Sequence, residues 1–293
     1  MADAANFPEL LDIRSIQYAI DDGFSWIVAN YGDALEYAFL PILRLLKAIE
    51  NGLLWTPWYV LILVIAALAW QVSHSLKLVF GVAILTFLIG LLGLWDPAMA
   101  TVALMITSTL IAVAIGIPTG IALSRSDRAQ AVTLPILDIM QTMPIFVYLI
   151  PFVMLFGPGK IPALLATVVF ALPPVVRLTN LGIRQVDAEV VEAVTAFGAT
   201  PRQKLLTVQI PLALPTIMAG INQTTMMALS MVVIASMIGA GGLGYQVLQG
   251  IQRLEVSKGL TAGLGIVFLA VIFDRIAQAQ GRRMQQHLLK EDA

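Results

Sequence analysis

Apolar residues along this chain come in long runs rather than in alternation, at 53–70, 78–94, 98–123, 132–156, 161–176, 212–237 and 260–276. A helix needs roughly 20 apolar residues to cross the hydrocarbon core of a bilayer, so the runs predict about seven membrane-spanning helices. The fifth run is the shortest and ends in Pro173 and Pro174, which leaves its inner boundary open. Between 24 and 46 the pattern changes. Trp26, Ile27, Ala34, Leu35, Ala38, Phe39, Ile42 and Leu46 recur at helical spacing among Asp33, Glu36 and Arg44. Charges at that density are expensive in lipid, so this helix is expected to lie in the interface, with an eighth span as the alternative. Trp55, Trp58, Trp70 and Trp95 mark the ends of the first two runs, where amphipathic rings prefer the headgroup level.

Most connections between runs are short, but residues 177–211 form a polar island. Asp187 is placed to cap a helix through Glu189, Glu192, Ala193 and Ala196, and Gly198 follows as a left-handed stop. Thr200, Pro201 and Gln203 then supply an N-cap, a proline in the first turn and a capping-box glutamine. The second helix is expected to end before Pro211. Ala193, Ala196, Gly198 and Ala199 give the pair a small-residue face that lets a partner approach closely. Within the runs, Gly116, Pro118, Gly120, Pro135, Pro144, Pro151, Pro215 and Gly220 are expected to disturb helices, either in a moving pathway or through packing alone.

Composition narrows the class. Of 293 residues, 59% are hydrophobic and 12% charged, which excludes an ordinary soluble domain. Cysteine is absent, so disulfides and thiolate metal sites fall away. His74 and His287 lie outside the runs and read as solvated positions. Residues 1–10 carry neither the basic start nor the apolar run of a signal peptide, so the mature chain is expected to begin at or near Met1. Basic residues are retained on the cytoplasmic side. His74, Lys77, Arg125, Arg128, Arg177, Arg184, Arg202, Lys204, Arg275, Arg282, Arg283 and Lys290 share one side, and most acidic residues, including Asp3, Glu9, Asp33, Glu36, Glu50 and Asp96, share the other. The expected topology is N-terminus outside, C-terminus inside, with the polar island cytoplasmic.

Glu192-Ala193-Val194, then Gly198-Ala199, then 208–215 (V-Q-I-P-L-A-L-P), resemble the E-A-A, glycine and late leucine-proline pattern of ABC importer permeases. Val194 stands where alanine is commonest, with the glutamate-to-glycine spacing intact. The stretches 135–144, 177–186 and 215–224 are similar to the glycine betaine, proline betaine and choline branch of that family, and the resemblance covers about 55–276.

The resemblance implies an all-α polytopic protein of the type I ABC importer permease fold in a bacterial inner membrane. It implies a second copy of the chain, two ABC ATPase subunits and an extracytoplasmic solute-binding protein as partners, and no nucleic acid. Its organisation would be an extracytoplasmic segment 1–52, two peripheral spanning helices in 53–97, a permease core 98–280 carrying the coupling loop 177–211, and a cytoplasmic tail 281–293. Carried over residue by residue, Glu192, Ala193, Gly198, Ala199, Thr200 and Pro201 would couple the ATPase to the pathway. No residue would be catalytic. The chain has no G-x-x-x-x-G-K-[ST] sequence, so ATP and magnesium would be bound by the partner ATPase.

Polar residues inside the runs supply the pathway candidates. Asp138, Gln141 and Thr142 share one helix face, as do Asn222, Gln223 and Met226. Asp138 would either bond the Arg177 or Arg184 region or serve transport, and Asn222 with Gln223 is expected to bond between helices. Gly239-Ala240-Gly241-Gly242-Leu243-Gly244 satisfies G-x-G-x-x-G but follows a membrane helix, not a strand. It is expected to be a turn into an outer segment, 245–252, that dips back toward the pathway, with Gly241 and Gly242 in an outer gate. No tight aromatic cage stands out, so strong recognition of a quaternary ammonium solute is assigned to the binding protein. An amino-acid importer, an ion-coupled secondary transporter and a passive osmotic channel remain as alternatives.

Overall fold

Every regular element among the described residues is a helix. The computed structural model describes residues 13–291, with side chains through 281. The elements are α1 (Ile13–Trp55), α2 (Trp58–Ser73), α3 (Leu76–Leu91), α4 (Trp95–Ser124), α5 (Asp127–Thr142), α6 (Ile145–Phe156), α7 (Lys160–Arg184), α8 (Ala188–Ala196), α9 (Pro201–Gln203), α10 (Ile210–Ala235), α11 (Leu243–Gln252) and α12 (Val256–Glu291). A π-helical turn, Lys204–Gln209, precedes α10, and a kinked turn, Ser236–Ala240, with Ile238 and Gly239 outside helical conformation, follows it. The acidic start of the chain and the side chains of Arg282, Arg283, His287 and Lys290 lie outside the described residues.

Four stretches are long and apolar enough to cross a bilayer: α4, α7, the continuous run Pro201–Ala240, and Val256–Gly281 of α12. The number rises to six if the bent pairs α1 with α2 and α5 with α6 each count as one span. The 16-residue α3 is a shorter apolar helix. The apolar runs reappear as helical segments with several boundaries moved, but the expected seven spans become four, or six with the bent pairs counted, beside the shorter α3.

The helix expected at 24–46 is part of a single 43-residue helix, about 64 Å long, that passes through Pro41 without ending. Leu46 is buried, and Ile42, Leu43, Ile49 and Leu53 pack with it against the α4–α7 core, which holds the helix together past the proline. At Thr56 and Pro57 the chain turns by 106° into α2. Glu50 pairs with Lys160, and Phe39 meets Phe156 edge-on at 5.5 Å, so α1 is fastened across the ends of α6 and α7.

The fourth run, 132–156, is broken: α5 and α6 meet at 94°. Pro144 disfavours the helical conformation in the residue before it, and Met143 is extended at ψ 136°. The hydroxyl of Tyr148 donates to the carbonyl of Met140 across the joint. The fifth run is longer than expected. Pro173 and Pro174 are buried inside α7, which continues to Arg184, so the first residues of the polar island are its last two turns.

α7 is the hub, packed between α4 and α10. Gly116 and Gly120 of α4 lie against Val175, Val176 and Thr179, while Gly220 of α10 lies against Val175 and Leu178. These glycines sit inside unbroken helices. They act as notches for close approach, the packing alternative, without interrupting their helices.

Candidate functional site

The island folds as a bracket whose backbone is specified at every turn. Asp187 accepts from the Glu189 N–H at 2.8 Å and starts α8. The helix closes with paired bonds from the Gly198 N–H to the Thr195 carbonyl and from the Ala199 N–H to the Val194 carbonyl, at 3.0 and 3.3 Å. That closure requires a left-handed residue, and Gly198 supplies φ +82° without the strain a Cβ would bring. Thr200 and Gln203 then form a reciprocal capping box, with Pro201 in the first turn.

The second helix does not stop before Pro211. It continues through the π turn Lys204–Gln209 into α10. A proline ring collides with the carbonyl four residues back, here Thr207, and the wider π turn carries that carbonyl aside.

None of the α8 residues is buried. Glu192, Ala193, Gly198, Thr200 and Pro201 are exposed and Ala199 is half-buried. Phe197, beside Gly198, is 93% exposed, so a phenyl ring stands uncovered at the tip. The sequence reading passed over it, although it is the single aromatic residue in 177–211.

Two arginines on the last turns of α7 lie behind the bracket. Arg177 pairs with Asp138, so that acid makes the bond expected with the Arg177 or Arg184 region. Arg184 binds Asp127 at 2.7 Å, and it donates to the carbonyl of Leu123 and to Oδ1 of Asn180, each at 3.1 Å. Its guanidinium thus joins α4, α5 and α7 at one point.

The remaining pathway candidates fall on two separate surfaces. Gln141 and Thr142 are exposed at the end of α5, and the Thr142 hydroxyl donates to the Ile139 carbonyl. On α10, Gln223 is exposed and Met226 half-buried, in line with exposed Ala219 and Ser230. Spacings of four, three and four place these residues on one helix face. The interhelical bond expected of Asn222 is not formed through its carbonyl, since Oδ1 is buried without a hydrogen-bond partner.

At the far end of α10, Gly239, Gly241 and Gly242 all have positive φ and fold the chain back, so that Gly244 rests on the Val233 carbonyl and Ser236. The Leu243 N–H donates to Thr101 Oγ1 at 2.9 Å, pinning the turn to α4. Residues 245–252 continue α11, which packs on the start of α12 with Gly250 against Gly259. No group of three His, Cys, Asp or Glu residues suited to a metal ion occurs among the described residues.

Residues 112–286 match the family model described as "Binding-protein-dependent transport system inner membrane component". The chain is 51% identical over 265 residues to the glycine betaine/proline betaine transport system permease protein ProW of Escherichia coli, covering 90% of this chain and 74% of that one. It is 46% identical to the glycine betaine/carnitine transport permease protein GbuB of Listeria monocytogenes, over 89% and 90% of the two chains. It is 44% identical to the glycine betaine transport system permease protein OpuAB of Bacillus subtilis, over 88% and 92%. Among solved structures, an inward-facing MetNI methionine ABC transporter aligns with TM-score 0.56 at 23% identity, over 63% of this chain and 93% of that one, a likeness of fold.

Proposed function

The chain belongs to the binding-protein-dependent transport system inner membrane components, and from that premise we propose that it is the membrane-spanning permease subunit of an ATP-driven importer for quaternary ammonium solutes such as glycine betaine, proline betaine and choline. The names of its relatives support the substrate class. The observation that carries the mechanism is the bracket itself, a rigid, fully capped and uncovered element joined at both ends to the helices of the core. Ordering such an element costs conformational entropy, and its shape is of use to a partner that grips it.

In this reading two copies of the chain line one pathway. Two ABC ATPases hold the brackets on the cytoplasmic side, binding ATP and magnesium themselves, and an extracytoplasmic binding protein delivers solute to the other face. The N-terminus lies outside and the C-terminus inside. Glu192, Ala193, Gly198, Ala199, Thr200 and Pro201 form the grip, with Phe197 at its tip. The exposed face of α10 around Gln223 and Met226, the end of α5 at Gln141 and Thr142, and the glycine turn at Gly241 and Gly242 border the route. ATP binding draws the ATPases together, the brackets follow, and the helices exchange outer for inner access; the coupling is mechanical. The segments 1–52, 53–97, 98–280 and 281–293 serve as outer tail, peripheral helices, core and inner tail.

The test is uptake of labelled glycine betaine into proteoliposomes holding the assembled complex. Uptake is expected to require ATP inside the ATPase-facing compartment and the binding protein on the other, with competition by proline betaine, choline or carnitine defining the range. Accumulation by the chain without any ATPase would refute the reading.

A further inference from the structure

We propose that α5 is a movable leaf at the inner end of the permease, held against α7 by a two-arginine latch that the bracket opens. The inference rests on the transporter reading above and assigns positioning roles to Arg177, Arg184, Asp127 and Asp138.

Four observations converge on it. First, α5 is weakly embedded: Leu137 is its one buried residue, and Val132, Ile136 and Ile139 are exposed. Second, both ends of α5 are jointed. It begins at Ser126, whose side chain caps it, and it ends at the extended Met143 before the 94° turn into α6. A helix between two non-helical joints can swing as a rigid piece.

Third, the ties that hold it are ionic and run antiparallel. Asp127 near its start meets Arg184 at the end of α7, and Asp138 near its end meets Arg177 two turns earlier. The two carboxylates remain 91% and 63% exposed, and exposed ion pairs are individually weak. Two such pairs fix a position without making it permanent, which is what a part that must release requires. The seam also carries unspent hydrogen-bonding capacity, since Gln130 Oε1 on α5 and Arg177 Nε on α7 are both buried without partners. Buried polar atoms are normally satisfied, so these two leave the present arrangement short of its full hydrogen bonding.

Fourth, the latch adjoins the bracket. Gln185 and Val186 alone separate Arg184 from Asp187, the cap of α8. A pull on α8 therefore enters at the last turn of α7, where Val186 packs on the Ile183–Ala213 cluster and Arg184 makes its bonds. Arg184 moves off Asp127 and the Leu123 carbonyl, Arg177 follows along the same helix, and α5 turns about Met143.

The chain has no native cysteine, so spin labels can be attached at Val132→Cys and Leu181→Cys, exposed positions on α5 and α7, in the assembled complex. In the parent background the interlabel distance is expected to change between the nucleotide-free and ATP-trapped states. With Asp127→Asn and Asp138→Asn together, the distribution is expected to be broad in both states. Solute carried per ATP hydrolysed should then fall at least about fivefold while hydrolysis persists. The exchanged pair Asp138→Arg with Arg177→Asp should recover most of that ratio relative to Asp138→Arg alone, an outcome a merely structural role would not produce. One α5–α7 distance in every state, or unchanged uptake per ATP in the double variant, would overturn the latch. Failure of the parent complex to couple ATP to uptake would instead refute the transporter reading, so the two failures are distinguishable.

Discussion

Replacing Gly120 by alanine tests the claim that α4 and α7 are held at the spacing of a missing side chain. A Cβ built at Gly120 would lie 2.6 Å from Thr179 Cβ and 2.7 Å from the Val176 carbonyl oxygen. Ordinary contact begins near 3.5 Å, so the helices would have to separate by about 0.8 Å, and a gap of that size forfeits roughly a quarter to a half of each facing dispersion contact. The obstacle is backbone and a β-branched carbon inside the most buried helix, neither of which can rotate away. Overpacking of this kind costs about 1–3 kcal/mol, partly offset by about 0.8–1 kcal/mol from the better helix propensity of alanine. The net expectation is a loss of up to about 2 kcal/mol. Gly81 on α3 is the control, because a Cβ there meets nothing within 4 Å and alanine should stabilise by up to about 1 kcal/mol. Reversible unfolding of both variants in mixed micelles measures the difference. A Gly120→Ala protein as stable as Gly81→Ala would refute the close-packing argument.

Three further outcomes are expected. Phe197→Ala should leave the fold and melting temperature unchanged, because the ring touches little of its own chain, yet weaken ATPase association measured by co-purification about tenfold or more if the ring is a buried anchor in the complex. Thr200→Ala removes the side-chain half of the capping box and should cost about 0.5–2 kcal/mol of local stability, seen as faster amide exchange confined to the bracket. Thr101→Val leaves the buried Leu243 N–H without its acceptor, and the loss of about 1–3 kcal/mol should appear in unfolding and as proteolytic sensitivity near Gly241 and Gly242.

Local chemistry that acts over three or four residues was readable before any coordinates. The Asp187 cap, the Gly198 reversal and the Thr200–Gln203 box form as spelled, because each is settled by short-range hydrogen bonds. Prolines misled in both directions, because their effect depends on what surrounds the freed carbonyl. Pro173 and Pro174 sit within α7, which α4 and α10 clamp from both sides, whereas Pro144 divides α5 from α6 at a joint where Met143 is extended and Tyr148 bonds back to Met140. Pro211 is accommodated by a change of helix type that no residue pattern announces. The ion pairs of Arg177 and Arg184 join residues about forty to sixty positions apart, a distance at which spacing carries no signal. Asp138 could be flagged as needing a partner, but only the fold names it.

The π turn at Lys204–Gln209 gives the bracket end of α10 a slack winding that closes its hydrogen bonds one residue farther along than an α-helix does. Torsion applied at the bracket therefore has somewhere to go besides bending the rod. Excising a single residue from 204–209 would tighten that winding to ordinary pitch, and since a π turn houses about one surplus residue, the helix above it would keep close to its present azimuth. Excising one residue from 212–219 instead would turn Gln223 and Met226 by about 100° relative to the bracket.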